Sequence, residues 1–336
     1  MSCTTTPHIS CGSHIDDDVC IIFKIIPQGS VLGPTLFILY INYLPTCCTQ
    51  SDANLFADDT SLSTSNRSVQ RVVNSLNTDL RSVSNWLTNW KLEANEDKCK
   101  VMFITTRTLP RPPAPVILGG CTLQVVTSYK HLGVTLTNRL SWSKHIETTS
   151  TKSRRSAGLL CALRKKVPKD ILLRLYKTIT RPGLEYADVV WAGLTKRDET
   201  KLESIQYQTA RLISGQHGLP YPSYQSLYTQ LSLPSLQFRR QFHTAVTLYK
   251  LLNGHCPPHL QTLIPRTRAS ATESRYSLRN SDHLTSELTK STRGQKTFIY
   301  RATALWNTLP TATRTATSTA SFKRKLWECL GNPYAW

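Results

Sequence analysis

Paired cysteines are missing from this chain. Its ten cysteines stand at 3, 11, 20, 47, 48, 99, 121, 161, 256 and 329. No Cys-x-x-Cys spacing occurs among them, so the pattern offers neither a zinc framework nor a disulfide scaffold and reads as reduced, mostly buried thiols. Long hydrophobic runs are missing too: no uninterrupted apolar stretch approaches the ~18 residues that a bilayer crossing needs, and no charged leader with an apolar core opens the chain. An intracellular protein without a membrane span is expected. Acidic residues are scarce, with 21 Asp and Glu against 41 Lys and Arg.

That scarcity is uneven. Residues 1–104 hold 7 Lys/Arg against 10 Asp/Glu, and residues 105–336 hold 34 against 11. A strongly cationic half suits a polyanionic partner, because binding phosphates releases condensed counterions. With 336 residues and 40% hydrophobic composition, the chain can bury a sizeable core and carry two domains or one domain with an extension.

Two of the scarce acids stand side by side. Leu55-Phe56-Ala57-Asp58-Asp59-Thr60 is an apolar strand that breaks into adjacent carboxylates and resumes as Thr60-Ser61-Leu62-Ser63-Thr64. The pattern predicts a β-hairpin with both acids at its tip. Adjacent carboxylates repel, so either solvent screens them or a hard cation sits beside them. Upstream lies Pro27-Gln28-Gly29-Ser30-Val31-Leu32-Gly33-Pro34, followed by an apolar helix from Thr35 to Leu44. Downstream, apolar residues at 69, 72, 73, 76, 80, 83, 87 and 90 predict one helix from Val69 to Trp90 with a single buried stripe.

Loop, helix and Asp-Asp hairpin, in that order, resemble the palm of a reverse transcriptase of non-LTR retrotransposons of the jockey-like or CR1-like kind. The resemblance runs from about Pro27 to about Leu326. It implies an α+β fold: an incomplete polymerase palm, an antiparallel sheet with a packed helix, followed by a mostly α-helical thumb and C-terminal region. It divides the chain into a diverged or truncated N-terminus (1–26), a partial palm (27–138), a helical thumb and C-terminal domain (139–264), and a basic, Ser/Thr-rich tail with a short terminal helix (265–336).

The resemblance also assigns roles. Asp58 and Asp59 would be catalytic and hold Mg²⁺, two ions being expected in the complete polymerase. Gln28, Gly29 and Phe56 would meet nucleotide and template. Leu92-Glu93-Ala94-Asn95-Glu96-Asp97-Lys98 is similar to a Leu-x-x-Asn-x-x-Lys segment, which makes Lys98 a candidate general acid for the leaving pyrophosphate. A solvated turn lysine is the alternative. Leu132 and Gly133, in Tyr129-Lys130-His131-Leu132-Gly133-Val134, resemble the primer-grip strand, although a simple strand bend also explains the glycine.

From Leu140 onward the period is helical, with helices expected over 142–166, 169–181, 184–192, 198–213 and 236–252. Leu172, Leu175, Ile179, Leu202, Ile205, Thr209 and Leu212 are the expected core ridges. Lys152, Arg155, Arg164 and Lys165, with Arg154 and Lys166, crowd the first of these helices and would follow the phosphates of a template-primer duplex; a solvated basic face is the alternative. Residues 265–301 are expected to be extended or loosely ordered.

The family's first catalytic aspartate lies well upstream of the Pro-Gln-Gly-Ser loop, so Asp16-Asp17-Asp18 reads as a solvated turn. Tyr43 and Ile25-Ile26 depart from the family pattern. The reading is therefore a fragment of an RNA-directed DNA polymerase, inactive alone, with an RNA template, a DNA primer or their duplex as partners and the element's upstream part missing. The other reading is a non-catalytic RNA- or DNA-binding remnant.

Overall fold

The computed structural model describes residues 31–105, 114–216, 219–268, 282–285, 289 and 291–335. The Pro-Gln-Gly-Ser loop, with Gln28 and Gly29, lies outside them. The chain divides into two compact units, Met1–Tyr129 and Lys130–Trp336.

In the first unit, α1 (Leu32–Ile41) leads through a 3₁₀ turn, Leu44–Cys47, into strands β1 (Asp52–Phe56) and β2 (Asp59–Ser63). These strands pair antiparallel, Phe56 opposite Asp59 and Leu55 opposite Thr60. Alternation sends Leu55 and Leu62 inward onto Ile41, Leu44 and Val83. Val83 belongs to α2 (Val69–Asn89), whose apolar stripe was legible in the sequence and which lies across the back of the hairpin. Val73, further along that stripe, is fully buried with Val101, Val116, Leu118 and Leu123. Each such side chain contributes about 1.5–3 kcal/mol on burial.

The remaining strands are short. β3 covers only Lys100–Val101. β4 (Ile117–Leu118) and β5 (Cys121–Thr122) form a hairpin around Gly119 and Gly120, both with positive φ. β6 (Gln124–Val125) leaves that hairpin and pairs parallel with β3, so the described strands form separate two-stranded sheets and not one continuous antiparallel sheet. Asn77 of α2 ties β4 in place by accepting from the Ile117 amide at 2.9 Å and donating to the Pro115 carbonyl at 3.0 Å.

β7 (Ser128–His131) contains the boundary residues Tyr129 and Lys130, and β8 (Val134–Thr137) follows it. The second unit is otherwise helical: α3 (Ser143–Leu163), α4 (Lys169–Leu175), α5 (Arg181–Glu185), α6 (Asp188–Trp191), α7 (Lys196–Ser214), α8 (Tyr224–Leu231), α9 (Leu236–Leu252), α10 (Phe298–Thr308) and α11 (Thr319–Cys329). A π turn, Tyr176–Thr180, joins α4 to α5. It rotates the helix phase, so Tyr176 and Thr180 are buried while Ile179, expected in the core, is 54% exposed. Leu172, Leu202, Ile205 and Thr209 are buried as expected. The single helix expected over 184–192 is broken at Ala187, which takes φ +53°.

The C-terminal stretch carries two packed helices. α10 and α11 close a core with α9, in which Tyr249 and Phe322 stack at 4.3 Å between centroids and Trp306 lies 5.7 Å from Phe322. Ser318 caps α11 by accepting from the Ser321 amide.

Candidate functional site

The hairpin tip is built by its strands. Phe56 closes β1, Asp59 opens β2, and only Ala57 and Asp58 lie between them. Ala57 takes φ +51°, a left-handed conformation that costs a non-glycine residue about 1–3 kcal/mol. Both carboxylates are exposed, and so is Phe56, at 64%. The arrangement therefore presents two hard oxygen donors beside an exposed aromatic ring.

Asp79 anchors the base of this hairpin, a role the sequence did not reveal. Fully buried on α2, its carboxylate accepts from the amides of Thr49 and Gln50 at 3.0 Å each and from the Ser51 hydroxyl, just before β1 begins. Burial pushes the Asp79 pKa up, but the bonds from Ser51 and the three backbone amides of 49–51 outweigh it, and the net shift is downward. Tyr40 of α1 donates to the Trp90 carbonyl, and Trp86 and Trp90 stack at 5.4 Å, so these aromatics pack against one another.

The other residues singled out from sequence stand elsewhere. Lys98 is exposed on the turn that follows α2, its amide donating to the Asn95 carbonyl at 3.1 Å. Leu132 and Gly133 do not lie within a strand: both have positive φ, +44° and +83°, and they form the two-residue turn between β7 and β8. Tyr186 donates to the Leu132 carbonyl at 2.9 Å, and a Cβ on Gly133 would stand 2.8 Å from the Tyr186 ring. Glycine is required there twice, by conformation and by space.

Lys152, Arg154 and Arg155 are exposed on α3. The helix ends at Leu163, earlier than expected, so Arg164, Lys165 and Lys166 stand exposed at and just beyond its C-terminus, where cations also complement the last carbonyls. His145, on the same helix, is buried and accepts from the Thr135 amide at 3.3 Å. Burial first, and Lys152 second, push its pKa down.

Among the described residues, no cluster of three or more His, Cys, Asp or Glu side chains could hold a metal ion. Two adjacent carboxylates still fit Mg²⁺, which binds proteins through one or two carboxylates and fills its octahedron with water and substrate phosphate oxygens. No helix among the described residues is long and apolar enough to cross a membrane.

Residues 5–136 match the family described as reverse transcriptase (RNA-dependent DNA polymerase). The RNA-directed DNA polymerase from mobile element jockey of Drosophila melanogaster is 32% identical over 201 residues, 56% of this chain and 22% of the relative. The probable RNA-directed DNA polymerase from transposon X-element of the same fly is 29% identical over the same shares. That from transposon BS is 26% identical over 241 residues, 68% of this chain and 26% of the relative. The chain thus spans about a fifth to a quarter of the length of these curated relatives. No solved structure matches it. Through residues 5–136 the chain is similar to the reverse transcriptase family, and the polymerases of jockey-like mobile elements are among the proteins it resembles.

Proposed function

We propose that this chain forms part of an RNA-directed DNA polymerase of a jockey-like element, with the first unit serving as part of the palm and the helical unit as the thumb. One observation carries the reading: adjacent carboxylates, Asp58 and Asp59, stand exposed at a strained two-residue hairpin turn inside the stretch that matches the family. In this reading Asp58 and Asp59 hold Mg²⁺ at the primer terminus, and Phe56 meets the incoming nucleotide. The bound ions would stabilise the attacking and leaving oxygens of phosphoryl transfer. Lys98 would donate a proton to the departing pyrophosphate, the Leu132-Gly133 turn would steady the primer strand, and the α3 cations would follow the duplex phosphates.

The partners in this reading are an RNA template and a DNA primer. Activity is assigned to the longer polypeptide, because two carboxylates alone coordinate the ions incompletely. The chain by itself should not extend an oligo(dT) primer on poly(rA), whereas the polypeptide continued upstream should. Robust dTTP incorporation by the isolated 336-residue chain would contradict that division. Nucleic-acid binding with no incorporation by either form would favour a non-catalytic binding remnant.

A further inference from the structure

The second unit contains a pocket of about 290 Å³ lined by Glu199 of α7, Gln237, Arg240, Gln241 and Thr244 of α9, and Tyr300 and Arg301 of α10. Two of these residues are guanidinium cations, Arg240 buried and Arg301 half-buried. Arg240 is only 4% exposed, and both of its Nη atoms are sealed from water without a hydrogen-bond partner among the described residues. The nearest carboxylate oxygen, on Glu199, is 3.6 Å from Nη2, an ion pair beyond hydrogen-bonding distance. Arg301 bonds neutral carbonyls, donating from Nε to Lys296 and from Nη2 to Val189, each at 3.0 Å. Burial pushes its pKa down to about 10; Asp188 opposes that shift and Arg240 adds to it.

Buried charge is retained when something compensates it. The local acids are largely engaged elsewhere: Asp188 meets His243 at 2.6 Å, and Glu203 accepts from Tyr228 at 2.7 Å and from the Leu236 amide at 3.0 Å. Glu199 is the acid paired with Arg240, and its other oxygen lies 3.9 Å from the exposed Lys196 ammonium. Moving the Glu199 carboxylate toward Lys196 would open the Arg240 Nη atoms to the pocket. A phosphate monoester suits what would then be exposed, since it presents several strong acceptor oxygens to a guanidinium fork, with amide donors from Gln237 and Gln241 around it. The volume, at the low end of ligand pockets, which begin near ~300 Å³, limits the guest to a phosphate with little attached.

We propose that this pocket is a phosphate-binding site in which Arg240 and Arg301 receive a phosphate monoester and Glu199 is the counterion it displaces. The phosphate comes either free in solution or as the 5′-terminal phosphate of a nucleic-acid strand. The pocket lies within the second unit.

Calorimetric titration of the full 336-residue chain with inorganic phosphate tests it, alongside two RNA 12-mers of one sequence bearing a 5′-phosphate or a 5′-hydroxyl. Saturable phosphate binding at about millimolar concentration or tighter is expected. Glu199→Gln, which removes the competing charge and preserves shape, should tighten it at least about fivefold. Arg301→Gln should weaken it by at least as much. Preference for the 5′-phosphorylated RNA, lost when phosphate is added, assigns the site to strand ends; equal binding of both RNAs, with phosphate still bound, assigns it to free phosphate. Failure of both the wild type and Glu199→Gln to bind phosphate overturns the proposal, even if RNA binds elsewhere on the chain.

Discussion

Single side chains set much of this molecule's response to pH. Glu203 is fully buried in α7; burial pushes its pKa up to about 7, against the opposing pull of the Tyr228 hydroxyl, Arg240 and the amides of Leu236 and Gln237. An unfolded glutamate titrates near ~4.3. The native state thus holds its proton more tightly, and the stability this provides is complete below ~4.3 and lost as pH rises to about 7. Glu203→Gln should flatten the pH dependence of the unfolding midpoint between about pH 5 and pH 8 and raise the midpoint at the upper end. An unchanged slope would remove Glu203 from that titration. Gly133 is constrained by geometry instead: with φ +83° and Tyr186 against its open face, Gly133→Ala should cost about 1–3 kcal/mol in chemical denaturation. A cost near zero would mean that the turn and the Tyr186 ring part easily.

At the scale of elements, sequence and structure agree where the apolar period is strong and uninterrupted. α2 and α9 run as their stripes predict, and the Asp-Asp hairpin turns at the residues its alternation indicates. Elsewhere the signal is diluted. The π turn at Tyr176–Thr180 changes the phase behind Leu172, which no fixed 3.6 period anticipates. α8 is too short to show a clear period, although Ser223, its cap, accepts from the Ser226 amide. α10 is hidden by Ser, Thr and Arg around it, while Phe298, Ala302 and Trp306 already stand four apart. The burial of Asp79 and Glu203 leaves no mark in the apolar period, because only tertiary packing buries them. If α10 and α11 are core, Phe322→Ala should destabilise the helical unit by about 3–5 kcal/mol in urea unfolding. A loss under ~1 kcal/mol would return residues 298–329 to the status of an appendage.

Across the whole molecule, charge and chemistry are separated along the chain. The acids of the hairpin lie in residues 1–104, where Asp and Glu outnumber Lys and Arg by 10 to 7, and the cations dominate residues 105–336 by 34 to 11. Such a division suits a polymerase that concentrates carboxylates at the metal and cations along the duplex. Replacing Lys152, Arg155, Arg164 and Lys165 by Gln should lower RNA affinity and reduce the slope of log affinity against log salt by about 0.7–0.9 for each phosphate no longer neutralised. Unchanged affinity and slope would make α3 a solvated face.

In the proposed function Asp58 and Asp59 form the metal-holding tip of a polymerase palm. Primer extension on an RNA template, by the polypeptide continued upstream of this chain, tests it directly when wild type and Asp58→Asn are compared at saturating Mg²⁺. A loss of at least about a thousandfold in rate with primer-template affinity retained is the expected outcome for a group that stabilises only the transition state. Extension by Asp58→Asn at the wild-type rate would contradict it.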